Sequence, residues 1–239
     1  MSLSKNHYKL ITSLQQKKYR QKHKLFIVEG MKVVEEFLDS SYELEMLFST
    51  ENRFSYLDTF TEVSEQELKK ISSLKTPNKV LALFKIPENK QVESSELIVV
   101  LDGINNPGNL GTIIRLCDWF GVDQLICSNE TVDCYNTKVV QASMGSLTRI
   151  AIFYTDLQEY LSRISLPKFI ADMEGETIYN RQLEPPAVLI MGNESKGVSN
   201  SIKEIVDTKI SIPRFGKLKQ TESLNVATAT AIMLSEFRR

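Results

Sequence analysis

The sequence predicts an α/β protein in two parts, a small N-terminal α/β unit and a larger domain built on a parallel sheet. Three observations predict it. From Leu97 onward, short apolar runs alternate with helix-length segments, the pattern of repeated βα units. The first of those runs, Leu97–Leu101 (LIVVL), is continuously apolar, as in a parallel strand covered on both faces. Between the two parts, Pro87–Glu96 (PENKQVESSE) has no apolar residue except Val92 and reads as a linker. The expected boundaries are therefore 1–86, a linker at 87–96, and 97–239.

In the first part, residues 5–24 read as one helix, with Leu10, Ile11 and Leu14 on one side and lysines around them. Leu25–Val28 reads as a strand and Glu29–Leu38 as a helix whose Val33, Val34, Phe37 and Leu38 face a core. Leu44–Phe48, Thr61–Val63 and Val80–Ile86 are expected strands, with a helix at Glu65–Ser72. In the second part, strands are expected at Leu97–Leu101, Gln124–Cys127, Ile150–Phe153, Lys168–Ala171, Ala187–Met191 and Lys209–Ile212. Helices are expected at Asn109–Phe120, Thr137–Gly145, Asp156–Ile164, Val198–Val206 and Leu224–Phe237.

Composition narrows the function. A chain of 239 residues, 42% hydrophobic and 25% charged, is that of an ordinary globular protein. No apolar run approaches the roughly 18–20 residues needed to span a bilayer. The start, MSLSKNHYKL, lacks the apolar core of a signal peptide. Cys117, Cys127 and Cys134 form no CxxC pair and have no His close behind, which argues against a metal site and for buried thiols in a reducing cytoplasm. The net charge of −1 hides an asymmetry: Lys5, Lys9, Lys17, Lys18, Arg20, Lys22 and Lys24 crowd a stretch with no acid at all. Such an arm is either a polyanion footprint or a solvated helix face.

Two strand ends near the C-terminus stand out. The runs Ala187–Met191 and Lys209–Pro213 each end abruptly in Gly, Asn, Ser or Pro, and open α/β sheets place ligands at such ends. A dinucleotide site is excluded, because Leu97–Leu101 is followed by Asp102-Gly103-Ile104-Asn105-Asn106-Pro107-Gly108 rather than GxGxxG. No GxxxxGK followed by Ser or Thr occurs either.

Three segments in order carry a resemblance. They are Asn106-Pro107-Gly108-Asn109-Leu110-Gly111-Thr112-Ile113-Ile114-Arg115, then Met191-Gly192-Asn193-Glu194-Ser195-Lys196-Gly197, then Ile212-Pro213 with Ser223-Leu224-Asn225-Val226-Ala227. They resemble the three motifs of the SpoU/TrmH branch of the SPOUT RNA methyltransferases, over about Leu97 to Arg239. The basic N-terminal part is similar to the family's small substrate-binding domain. The resemblance implies a parallel-sheet SPOUT domain with a C-terminal trefoil knot, binding S-adenosylmethionine at the knot. It implies cofactor contacts near Ala171, Met191, Gly192, Asn193, Ile212, Pro213 and Leu224.

The same resemblance assigns catalytic positions to Arg115, Asn109, Glu194, Ser223 and Asn225. At helical spacing Asn109 and Arg115 can line one cleft, although spacing alone would make Arg115 a surface residue. The family's arginine is often called the general base. A guanidinium with a pKa above ~12 suits another task better, gripping a phosphate and stabilising developing alkoxide charge. Glu194 is expected to anchor Asn109 and its neighbours. Ser223 and Asn225 open the last helix, where they also read as N-caps. Family members are homodimers with active sites at the interface, so the arginine can serve its own or the partner's site. The loop Lys217–Glu222 is longer and more basic than the usual third motif, and Val226-Ala227-Thr228-Ala229 replaces the more common Val-Ser-Val-Ala.

The implied activity is methylation of a ribose 2′-hydroxyl in RNA, with ribosomal RNA favoured over transfer RNA because of the separate N-terminal domain. The alternatives are a knotted RNA-binding module without turnover and a base-nitrogen methyltransferase. Retention of Arg115, Glu194 and Asn225 speaks against the first, and the motifs of the sister branch speak against the second. No metal and no membrane partner is expected.

Overall fold

The computed structural model of the chain describes residues 3–88, 96–206, 208–218 and 223–239. The chain forms two compact units, Met1–Glu88 with Asp133–Thr148, and Asn89–Val132 with Arg149–Arg239. Most of the expected linker lies outside the described residues, as do Lys219, Gln220, Thr221 and Glu222 of the expected long loop.

The first unit runs α1 (Lys5–Ser13), α2 (Lys17–His23), β1 (Leu25–Glu29), α3 (Met31–Leu38), β2 (Leu44–Ser49), β3 (Phe60–Glu62), α4 (Glu65–Ile71) and β4 (Val80–Lys85). Its sheet has the order β1-β4-β2-β3, antiparallel except for the β2–β3 pair. Ile11, Leu14, Ile27, Phe48, Leu68 and Leu81 are among the side chains filling one core cluster. Phe26, Phe37, Tyr42, Phe84 and Tyr135 form a ring cluster, with the Phe26 and Tyr135 centroids 4.7 Å apart. Residues 133–148 therefore pack with the N-terminal unit, although the sequence gives them no break from their neighbours.

The expected single helix over 5–24 is two helices, and the reason is Arg20. Its Nη1 donates to the carbonyls of Leu14 and Gln15 at 2.9 and 3.0 Å, groups that α1 leaves unpaired at its end. Its Nη2 reaches Asp133 Oδ2 at 2.5 Å, and the side chain is only 2% exposed. Arg20 thus leaves the expected RNA-facing arm and becomes an internal strut. Lys5, Lys9, Lys17, Lys18, Lys22 and Lys24 stay exposed. Glu29 closes β1 rather than opening α3, which begins after Gly30 at φ +101°.

The second unit runs β5 (Leu97–Asp102), α5 (Pro107–Trp119), β6 (Gln124–Ser128), β7 (Ala151–Thr155), α7 (Leu157–Arg163), β8 (Lys168–Thr177), β9 (Ala187–Gly192), α8 (Asn200–Lys203), β10 (Lys209–Ser211) and α9 (Val226–Phe237), with α6 (Thr137–Ser143) belonging to the first unit. Its six strands are all parallel, in the order β10-β8-β9-β5-β6-β7. The parallel sheet expected from LIVVL is present, with β5 buried between β9 and β6. One face packs Ile98, Val100, Leu161, Ile190, Val198 and Ile202 together. The predicted strand at Lys168–Ala171 continues to Thr177. Its pairing with β10 jumps from Lys209↔Ile170 to Ile210↔Glu176, so five residues bulge between them. Gly175 permits the close approach, since a Cβ there would stand 2.6 Å from the backbone of Ile210. The predicted helix over Val198–Val206 shrinks to α8. Val198, Ile202 and Val206 are all buried, so their spacing of four reflects core contact more than helix length.

Candidate active site

The site grows from the N-terminus of α5. Asn106 is its N-cap, with Oδ1 accepting from Gly108 N at 2.8 Å and Asn109 N at 3.4 Å, and Pro107 takes the first helical position. This geometry holds the carboxamide of Asn109, in the first turn, at the helix mouth.

Opposite it lies the turn after β9. Asn193 and Gly197 exchange two backbone hydrogen bonds, N to O at 3.0 Å and 2.9 Å. Asn193 Oδ1 accepts from Ser195 N and Lys196 N, both at 3.0 Å, and its Nδ2 donates to Gly103 O at 2.6 Å. Both ends of the Asn193 side chain are thus used to build the turn. Gly192 is obligatory, because a Cβ would lie 2.2 Å from Gly197 C and Val198 N. Gly197 has φ +69°, a conformation costly for any residue with a side chain.

The turn presents Glu194 to α5. Its Oε1 accepts from Asn109 Nδ2 at 2.9 Å and Asn106 N at 3.2 Å, and its Oε2 accepts from Asn105 N at 3.3 Å. Asn109 Oδ1 in turn accepts from Asn225 Nδ2 at 2.9 Å. Asn225 caps α9, its Oδ1 accepting from Ala227 N at 3.0 Å and Thr228 N at 3.2 Å. Glu194, Asn109 and Asn225 therefore form one unbroken chain tying the β9 turn to the starts of α5 and α9. Partial burial pushes the Glu194 carboxyl up. The donors from Asn109 and from the amides of Asn105 and Asn106 outweigh that, leaving it below the usual carboxylate range. Glu194 is thus ionised at neutral pH, an anion facing the positive end of α5.

Arg115 sits farther along α5, exposed, with no side-chain partner among the described residues. Ser223 is exposed and precedes the N-cap by two residues, so Asn225 alone caps α9. The expected cofactor positions lie around β8, β9 and β10. Ala171 and Met191 each follow the last pair of the β8–β9 ladder, Ile170 with Ile190, while Ile212 and Pro213 follow β10 directly. Met191 is buried and offers only its backbone. Ala171, Ile212 and Pro213 are half-buried and Leu224 is exposed, so the surface on offer is aliphatic and main-chain. That donor set fits an adenosine and a sulfonium, and it lacks the basic groups that a nucleotide phosphate would call for. Asn105 and Asn106 enter the site through main-chain amides, which carry no residue-type signal. The Asn-Pro pair at a helix start could have marked Asn106 as the cap.

Residues 96–235 match the family model described as the SpoU rRNA Methylase family, and residues 5–82 match that of the MRM3-like substrate binding domain. The chain is 32% identical over 241 residues to the 23S rRNA (guanosine(2553)-2'-O)-methyltransferase RlmP of Bacillus subtilis (strain 168), covering 94% of this chain and 93% of that one. It is 34% identical over 152 residues to the 23S rRNA (guanosine-2'-O-)-methyltransferase RlmB of Neisseria meningitidis, covering 60% and 58%. Among solved structures, a TrmH-family protein from Porphyromonas gingivalis superposes with a TM-score of 0.87 at 36% identity, covering 98% of both chains. The AdoMet-bound rRNA methyltransferase of Sinorhizobium meliloti superposes at 0.85 with 29% identity, covering 99% of this chain and 96% of that one.

Proposed function

The chain belongs to the SpoU rRNA methylase family, and we propose that it methylates a ribose 2′-hydroxyl of ribosomal RNA, at a guanosine. It is an S-adenosylmethionine-dependent RNA 2′-O-methyltransferase of the α/β, parallel-sheet type. The observation that carries the reading is the Glu194–Asn109–Asn225 chain, which joins all three motif regions through side chains.

S-adenosylmethionine supplies an electrophilic methyl group and leaves as a neutral thioether that needs no acid. The protein's work is then to line up the ribose oxygen with that methyl and to handle the hydroxyl proton. In our reading Arg115 grips the phosphate beside the target ribose and stabilises charge growing on O2′, with its proton passing to solvent as the methyl transfers. Glu194 and Asn225 are positioning residues that fix Asn109 at the mouth of α5. Main-chain groups at Ala171, Met191, Gly192, Asn193, Ile212, Pro213 and Leu224 would hold the cofactor, and Ser223 lies next to them.

Three further elements belong to the proposal. The C-terminal segment is knotted, supported by the sheet order β10-β8-β9, in which the last three strands crowd one edge out of sequence. The enzyme is a homodimer, supported by the outward stripe Thr112, Arg115, Leu116 and Trp119 on α5, where Trp119 is 84% exposed. It works in the cytoplasm on RNA seated by the exposed lysines of α1 and α2, with Lys18 over the ring of Tyr19 at 4.8 Å. The division into a substrate-binding part at 1–86 and a catalytic part at 97–239 goes with this reading. Among the described residues no helix is long and apolar enough to cross a membrane.

The test is transfer of labelled methyl from S-adenosylmethionine to unmodified ribosomal RNA, followed by nuclease digestion. A 2′-O-methylguanosine product is expected. A base adduct, or no product from folded protein that binds the cofactor, overturns the reading.

A further inference from the structure

A concavity lies in the second unit, lined in part by the β9 turn and without Asn109 in its wall. It has a volume of about 520 Å³ and opens at the C-terminal ends of β5, β6, β7 and β9. That size falls within the roughly 300–1,000 Å³ of small-ligand sites. The turn that carries Glu194 contributes Asn193, Lys196 and Gly197 to this cavity. Asn105 also lines it, while its own amide is held by Glu194. The cavity and the candidate active site therefore share the β9 turn and Asn105.

Its lining chemistry is selective. Three carboxylates face it, Asp102, Glu130 and Asp156, against a single ammonium, Lys196. Asp102 already accepts from Ser199 N at 2.7 Å, and Asp156 from Glu159 N at 2.9 Å as the cap of α7. Glu130, in the loop after β6, is exposed and has no partner among the described residues. A phosphate or the methionine carboxylate would be repelled by this excess of acid. Among the described residues, no group of His, Cys, Asp or Glu is placed to hold a metal ion. The match is a neutral ligand rich in donors. Of the four RNA bases, only guanine sets two adjacent donors, N1–H and the 2-amino group, on its Watson–Crick edge, where one carboxylate can accept both.

We infer that this cavity receives the base of the target guanosine, splayed from its stack, and that Glu130 reads its N1–H and 2-amino edge. Lys196, on the turn between the two sites, then faces the O6 side of the base. The inference rests on the proposed RNA methylation and adds to it the residue that selects the nucleotide.

The experiment uses the full chain and ribosomal RNA transcripts carrying guanosine or inosine at the methylated position, once that position has been mapped. Inosine lacks only the 2-amino group. The wild type is expected to prefer guanosine in kcat/KM by roughly tenfold or more. Glu130→Gln turns an amide donor toward the base's donors and should lower kcat/KM on guanosine RNA by a similar factor. It should also erase the preference, with calorimetric affinity for S-adenosylmethionine unchanged. A Glu130→Gln enzyme that keeps the wild-type preference overturns the assignment while the methylation reading stands. If the wild type transfers methyl to neither transcript, the methylation reading itself falls.

Discussion

Replacing Glu194 by Gln tests whether the site is held by charge as well as by shape. The wild-type carboxylate accepts from Asn109 Nδ2, Asn106 N and Asn105 N. A glutamine in the same rotamer keeps one oxygen for the first two and points its NH₂ at the third, which is also a donor. Hydrogen bonds to a charged group are worth about 1.5–3 kcal/mol and neutral ones about 0.5–1.5. Solvent around a half-buried group reduces the difference, so the substitution should cost about 1–2 kcal/mol. In a chain of this size each kcal/mol lowers Tm by about 2–4 °C. The effect must also depend on pH. Because the folded carboxyl is held below its unfolded value, its contribution is complete above the unfolded pKa and is lost as pH falls through the folded one. Thermal melts of both proteins from neutral pH downward should therefore show a gap that closes in acid. Equal stability at neutral pH, or a gap that persists undiminished once the wild-type Glu194 carboxyl is protonated, would refute the electrostatic account.

Arg115→Lys keeps the charge and loses the planar fork; turnover should fall roughly 100-fold or more while calorimetric binding of S-adenosylmethionine holds within a few-fold. Lysine turnover near that of wild type would reject the bidentate requirement. Arg20→Met should cost about 3 kcal/mol in urea unfolding, because it leaves Asp133 and the carbonyls of Leu14 and Gln15 without their donor, and adding Asp133→Asn should recover part of the loss. If Arg20→Met melts with wild type, the strut is not structural. If the proposed homodimer forms through this face, the wild type should scatter light as a dimer and Trp119→Glu as a monomer; an unchanged dimer mass would move the interface off the outer face of α5.

What the sequence made legible follows the range of the interactions concerned. The strands of the parallel sheet could be read because each is a local apolar run, and LIVVL and AVLIM are buried along their whole lengths apart from the terminal Asp102 of β5. The break in the 5–24 helix was not legible, because its cause is an arginine whose carboxylate partner lies 113 residues away. The grouping of residues 133–148 with the first unit is hidden for the same reason, since Tyr135 finds its ring neighbours at Phe26 and Tyr42. At the site, motif order supplied the names Asn109, Glu194 and Asn225. The resemblance also had Glu194 anchoring Asn109, 85 residues away, but it could not say that Asn225 bonds to Asn109 across a separation of 116 residues. That bonding changes what the motif means. A glutamate whose two oxygens hold a side-chain amide and two main-chain amides has little capacity left to take a proton from a ribose. Asn109 likewise spends its oxygen on Asn225 and an amide hydrogen on Glu194. The three most motif-like polar side chains are thus committed to one another, and the exposed Arg115 is left as the group on α5 with donors to spare for RNA. In the proposed reading, chemistry at this site therefore comes from orientation and from that guanidinium, with the carboxylate acting at one remove, through the helix it anchors.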